Sequence, residues 1–214
     1  MPHGEALTFL INCFVALFAI VNPVGNAPLF LSFTGNCTPS ERKQTAFRAA
    51  LTCLIVLFVF VFLGKGILYL FRVTIPAFQI AGGALIFIIG LTMLHAFRLW
   101  VKSTPSEEQE AVEKEEVGVI PLGIPILAGP GAITTAMVFA FEYAGPEGKI
   151  MVCIAVILTS LISYFVFAGS NWLMKIMGNT GINILTRLMG LLLTVKAVQF
   201  ALAGLTAAFP GLFK

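Results

Sequence analysis

The sequence contains no aspartate, and its ten acidic residues are all glutamate. Six of them (Glu107, Glu108, Glu110, Glu113, Glu115 and Glu116) crowd into one short stretch. The long apolar runs hold no carboxylate in their interiors, since Glu5 and Glu142 stand at run ends. That excludes an intramembrane carboxylate pair for acid–base work and leaves no buried carboxylate to carry a proton. Histidine is equally scarce, and no His, Glu or Cys cluster has the spacing of a metal or protease site. The four cysteines, Cys13, Cys37, Cys53 and Cys153, form no CxxC pair; three lie in apolar runs, where cysteine packs as a small hydrophobe. There is no nucleotide-binding P-loop, so no built-in ATPase is expected. Charged residues of both signs make up 11% of the chain, against about 25% in soluble domains.

What replaces charge is hydrocarbon. Hydrophobic residues make up 58% of the 214, more than a soluble fold of this size can hide. They form six uninterrupted runs, Leu7–Phe33, Ala46–Phe71, Ile75–Phe97, Gly118–Phe141, Ile150–Trp172 and Leu185–Ala208. Each is near or above the roughly 20 residues that cross a bilayer as a helix. None alternates as a barrel strand would. The first run is too long for a signal-peptide core, and only His3 and Glu5 precede it as ionisable side chains, so it is expected to be retained.

Loops after runs 1, 3 and 5 carry Arg42, Lys43, Arg48, Arg98, Lys102, Lys114, Lys175 and Arg187. The opposite side carries Lys65, Arg72, Lys149 and Lys214. The positive-inside rule places the first set in the cytoplasm and both termini outside, in the cell inner (plasma) membrane. The acidic stretch reads as a solvated connector.

Runs 1 and 4 are both broken by proline and glycine. The first reads Asn22-Pro23-Val24-Gly25-Asn26-Ala27-Pro28, the other Ala128-Gly129-Pro130-Gly131 with Thr134 and Thr135 following. Pro23 and Pro130 are 107 residues apart; Gln79-Ile80-Ala81-Gly82 and Arg187-Leu188-Met189-Gly190 are 108 apart. Two motifs at nearly one offset indicate a repeat. Three spans per copy force the second copy to enter from the opposite side, making an inverted repeat. The expected fold is an all-α membrane protein of six transmembrane helices, two inverted three-helix repeats with broken helices 1 and 4. Residues 1–102 and 118–214 would be the repeats and 103–117 an acidic cytoplasmic linker.

Paired breaks point to a substrate site at the bilayer midplane. Half-helix N-termini attract a carboxylate and freed carbonyls attract an ammonium group or Na⁺. Asn22, Pro23, Gly25 and Asn26 of the first break, with Gly129, Pro130, Gly131 and Thr134 of the second, are the candidate substrate-binding residues. The two carboxamides would hydrogen-bond the substrate, and the glycines would let backbone amides approach it. Lys196, midway along run 6, reads either as functional or as a residue snorkelling to an interface. Lys65, Arg72, His95, Arg98 and Trp100 read as boundary anchors, and Gly82, Gly83, Gly90 and Gly190 as close helix contacts.

The Asn-Pro-x-Gly-Asn-x-Pro and Ala-Gly-Pro-Gly motifs, with Ile80-Ala81-Gly82-Gly83, Arg187-Leu188-Met189-Gly190 and Ala197-Val198-Gln199-Phe200, resemble the MarC family of integral membrane proteins, which includes small neutral amino acid transporters of the SnatA type. The resemblance spans the chain. It implies six spans and transport of glycine, alanine and similar amino acids. Two residues depart from it: Gln79 stands where an arginine is expected, and Lys196 where an apolar residue is.

The expected function is a secondary transporter of small neutral amino acids, without cofactor or catalysis, with Na⁺ or H⁺ as coupling ion. Its expected partners are a small-molecule substrate and the lipid bilayer, not nucleic acid, with self-association left open. An exporter of metabolites or drugs, a channel, and a non-transporting membrane scaffold or regulator are the alternatives.

Overall fold

The computed structural model describes residues 3–35, 37–94, 122–142 and 145–210. The acidic stretch, His95, Arg98 and Trp100 lie outside the described residues. Those described form seven α-helices and one π-helical turn, with no strand among them. The helices are α1 (His3–Val21), α2 (Pro23–Phe33), α3 (Pro39–Leu70), α4 (Ile75–Leu94), α5 (Pro130–Glu142), α6 (Pro146–Ala168) and α7 (Ser170–Ala208); the π turn, Leu122–Leu127, precedes α5.

Among the described residues, five stretches are long and apolar enough to cross a membrane: α1 with α2 as Glu5–Phe33, then α3, α4, α6 and α7. The run expected as the fourth span begins outside the described residues; the part described is the π turn and the 13-residue α5. All of α5 except Pro130, Ile133 and Glu142 is buried. It touches α1, α3, α4 and α6 and so forms the axis of the bundle.

Helix ends follow local chemistry. α3 starts seven residues before the apolar run, because Thr38 and Glu41 form a capping box. The Thr38 N–H donates to Glu41 Oε2 at 2.7 Å and the Glu41 N–H donates to Thr38 Oγ1 at 3.3 Å. The bond from the Thr38 backbone, and then that with its side chain, hold the Glu41 carboxyl below its usual range. The folded value is the lower one, so the cap's contribution is complete above the ordinary carboxylate pKa and fades as pH falls through the lowered value. At the other end, Arg72 takes a left-handed φ of 54° and the Val73 N–H reaches back 2.9 Å to the Leu68 carbonyl, closing the last turn. The fifth run ends at Ala168, short of Trp172, because α6 is capped by Gly169 and a new helix begins at Ser170. α7 is itself kinked at Gly178 (φ 58°, ψ −179°).

Lipid supplies no hydrophobic drive between helices, so close packing of small residues must hold them. α4 and α7 are the most extensively packed pair. A Cβ added at Gly90 would stand 2.9 Å from the Gly190 carbonyl, one at Gly83 2.7 Å from the Ala197 carbonyl, and one at Gly204 2.8 Å from the Pro76 carbonyl. Rising numbers on α4 meet falling numbers on α7, so the two helices run antiparallel. Elsewhere Phe30 of α2 and Phe167 of α6 stack in the core, centroids 4.6 Å apart.

This packing predicts a contrast. Gly90→Ala pushes a methyl into the α7 backbone and should cost about 1–3 kcal/mol. At Gly66 of α3 a Cβ meets nothing within 4 Å, so Gly66→Ala should be neutral or raise stability by up to about 1 kcal/mol. Unfolding of the two variants in detergent checks this; equal effects would remove the close-contact account of α4 and α7.

Candidate functional site

The first break is written in the dipeptide Asn22-Pro23. Proline's ring bars the α region for the residue before it, so α1 must stop at Val21. Proline is well placed to start α2, where its missing N–H is not needed. The residue between turns left-handed, with φ 45° and ψ 56° at Asn22, a conformation asparagine tolerates better than most non-glycine residues. Its Oδ1 accepts from the Gly25 N–H at 3.2 Å. One residue past Gly25, Asn26 donates Nδ2 to the Val21 carbonyl at 3.0 Å. An unbroken helix would join Gly25 N–H to that same carbonyl, so each side chain replaces one half of the lost bond. Asn22 uses its oxygen and Asn26 its nitrogen, which leaves the Asn22 amide hydrogens and the Asn26 oxygen for other partners among the described residues.

The second break differs in form. The π turn carries an Ala128 N–H to Gly123 carbonyl bond of 3.0 Å, and α5 then starts on Pro130, with the Ile133 N–H returning 3.1 Å to the Gly129 carbonyl. α2 and α5 thus both begin on a proline. The breaks adjoin: a Cβ at Gly131 would stand 2.9 Å from Ile20 Cδ1, two residues before Asn22, and 2.8 Å from Ile89 Cδ1 of α4. Asn22 and Pro23 are buried, Gly25, Asn26 and Gly129 half-buried, and Pro130 exposed. Thr134 is buried but faces α4, where a Cβ at Gly82 would collide with its methyl group.

A residue the sequence did not single out packs against the first break. Thr186 of α7 lies against it: a Cβ at Gly25 would collide with the Asn22 amide and stand 2.6 Å from Thr186 Oγ1. Only a bare glycine fits between the two polar groups.

A second polar feature lies along the same helices, toward the N-terminal ends of α1 and α4 and the C-terminal ends of α5 and α7. A cavity of about 310 Å³ is lined by Asn12, Gln79, Phe139, Glu142, Lys196 and Gln199, among others. Lys196 Nζ sits 5.9 Å from the centroid of the Phe139 ring. That ring is held edge-on by Phe9 and Phe200, with centroids 5.7 and 5.5 Å away. The place of Lys196 and Gln79, both marked by sequence, is therefore beside a cavity. Asn12, Glu142 and Gln199 join them. Of these, Gln199 carried a signal, since Lys196, Gln199, Phe200 and Ala203 repeat at the spacing of one helical face; Asn12 carried none. No three His, Cys, Asp or Glu side chains converge among the described residues.

The family model for MarC family integral membrane proteins matches residues 7–209. The chain is 38% identical to the UPF0056 membrane protein YhcE of Escherichia coli (strain K12), over 93% of each chain. It is also 38% identical to the UPF0056 membrane protein YvbG of Bacillus subtilis (strain 168), over 95% of this chain and 97% of that one. A UPF0056 membrane protein of Pyrococcus abyssi is similar to the same degree, over 96% and 98%. No solved structure matches.

Substitutions at Asn22 separate backbone from side chain. Asn22→Ala puts a Cβ residue without a cap into left-handed backbone and should lower stability by about 1–3 kcal/mol. Asn22→Gly keeps the backbone at ease and should cost only a few tenths of a kcal/mol. Melting of the two purified variants against the wild type is the check; an equal loss would mean that the left-handed turn does not govern the break.

Proposed function

We propose, for a chain that belongs to the MarC family of integral membrane proteins, that it is a secondary transporter of small neutral amino acids such as glycine and alanine, with its substrate site at the two adjoining breaks. The observation that carries this reading is the left-handed interruption at Asn22, within an otherwise membrane-spanning helix and beside the start of α5.

The chemistry follows from helix ends. α2 and α5 start on Pro23 and Pro130, and helix N-termini carry partial positive charge. They suit a carboxylate without any charged side chain. Residue 23 is proline, so the Ala19 carbonyl has no i+4 amide to accept from; with the end of the π turn it offers negative partial charge for an ammonium group or Na⁺. The Asn22 amide hydrogens and the Asn26 oxygen add a donor and an acceptor. Gly25, Gly129 and Gly131 permit backbone approach, and Pro23 and Pro130 fix the turns. Thr134 would support the site through its contact with α4.

The antiparallel pairing of α4 and α7 supports treating the halves as inverted repeats that rock against each other in alternating access. In this reading residues 1–102 and 118–214 form the halves, both termini face out of the cytoplasm in the inner membrane, and Na⁺ or H⁺ supplies the coupling.

Uptake of radiolabelled glycine and alanine into liposomes holding the purified protein, under imposed Na⁺ or H⁺ gradients, tests the reading. Wild type should show saturable uptake under one gradient, and Asn22→Gly, still folded, should lose at least tenfold in rate. No uptake under any gradient by folded, inserted wild type would remove it in favour of a scaffold or an exporter of other solutes.

A further inference from the structure

The cavity between α1, α4, α5 and α7 does not belong to the breaks, and none of the expected substrate-binding residues lines it. It nevertheless gathers five polar side chains from four helices. Lys196 and Glu142 bring one charge of each sign, and Asn12, Gln79 and Gln199 bring three carboxamides, each able to donate and accept. A lysine midway along an apolar helix is costly and is retained only for pairing or function. Gln79 is buried and Lys196 half-buried, while Asn12, Glu142 and Gln199 are exposed, so the cavity opens outward and is reachable from outside the bundle.

The walls set the size and kind of ligand. Phe139 and Phe200 give an apolar side held edge-to-face with Phe9, and Ala203 keeps one wall low. The volume, about 310 Å³, is at the lower end for small-molecule sites. The ligand must therefore be small, carry a positive and a negative group close together, and have little side chain.

We infer that this cavity is a recognition site for a small zwitterionic amino acid, in which Lys196 takes the carboxylate, Glu142 takes the ammonium group, and the Phe139 ring faces the side chain. The choice of amino acid as the zwitterion rests on the transporter reading above. The placement gives the site a role. Gln79 on its rim is one helical turn from Gly82, which abuts Thr134 of the second break. The cavity would be the first stop for substrate arriving from the face where α1 begins and α7 ends, about three helical turns along α1 before the first break.

The test is equilibrium binding of radiolabelled alanine to the full chain in lipid nanodiscs, with propionate and ethylamine as competitors. Alanine should compete at least tenfold better than either half-molecule. Lys196→Gln should weaken alanine at least tenfold and leave ethylamine unchanged. Glu142→Gln should weaken alanine and leave propionate unchanged, and Lys196→Arg should restore most of the affinity. Unchanged alanine affinity in both glutamine variants would overturn the inference; if uptake by the wild type and its loss in Asn22→Gly persisted, the transporter reading would stand without it. Lys196-dependent binding with no uptake would do the opposite. Should the glutamine variants not fold, the competition is run in Asn22→Gly, whose break site is impaired; propionate or ethylamine competing there as well as alanine would overturn the inference.

Discussion

A backbone amide or carbonyl inside a membrane must find its partner within the protein, at a penalty of several kcal/mol if it does not. The first span breaks its helix at Asn22-Pro23 and meets this constraint with two asparagines. Asn22 accepts the Gly25 N–H and Asn26 serves the Val21 carbonyl, the two groups an unbroken helix would have joined. The repair makes the break tolerable without closing it, since each carboxamide keeps its other end. The same side chains that stabilise the turn therefore give it hydrogen-bonding capacity.

Much of the remaining packing keeps that turn in place. α5, buried along nearly its whole length, brings Gly131 against Ile20 just before the break. α7 brings Thr186 against Gly25. α7 in turn is located by α4, through glycines at which one helix backbone lies against the other. Such contacts have little tolerance: a methyl at Gly90 or Gly190 would fall inside van der Waals distance of a carbonyl. A shift between α4 and α7 would therefore be felt both at the break and at the polar cavity, because Thr186 and Lys196 ride on one helix.

The two polar regions divide the chemistry between them. At the breaks the polar groups on offer are helix ends and the carboxamides of Asn22 and Asn26, in a position where full charges are expensive. In the cavity toward the start of α1 and the end of α7, the ionisable side chains Lys196 and Glu142 line the wall, and Lys196 Nζ stands over the Phe139 ring. A zwitterion meeting charges first and dipoles second would exchange strong partners for weaker ones as it moves inward, which avoids a trap too deep for transport.

The sequence by itself was enough for the helical membrane class, the family and the helix stop at Asn22-Pro23. Run length, Asn-Pro chemistry and paired motifs act along a single helix, so they are visible one residue after another. Thr38 and Glu41, four positions within one turn, could also have been read that way, as could the helix restarting after Gly169. Other features needed tertiary structure. Asn22 and Asn26 were expected to face substrate, yet each first serves its own backbone, a choice set by a left-handed dihedral that composition does not reveal. Thr134 was expected to bind substrate with the rest of the second break, and α5 turns its methyl toward Gly82. Glu142 looked like a span boundary, and Gln199 entered only through the motif Ala197-Val198-Gln199-Phe200. They meet Lys196, Gln79 and Asn12 only because four helices, distant in sequence, converge on one cavity, and a cavity is decided by which helix faces which, not by the order of residues along any one of them.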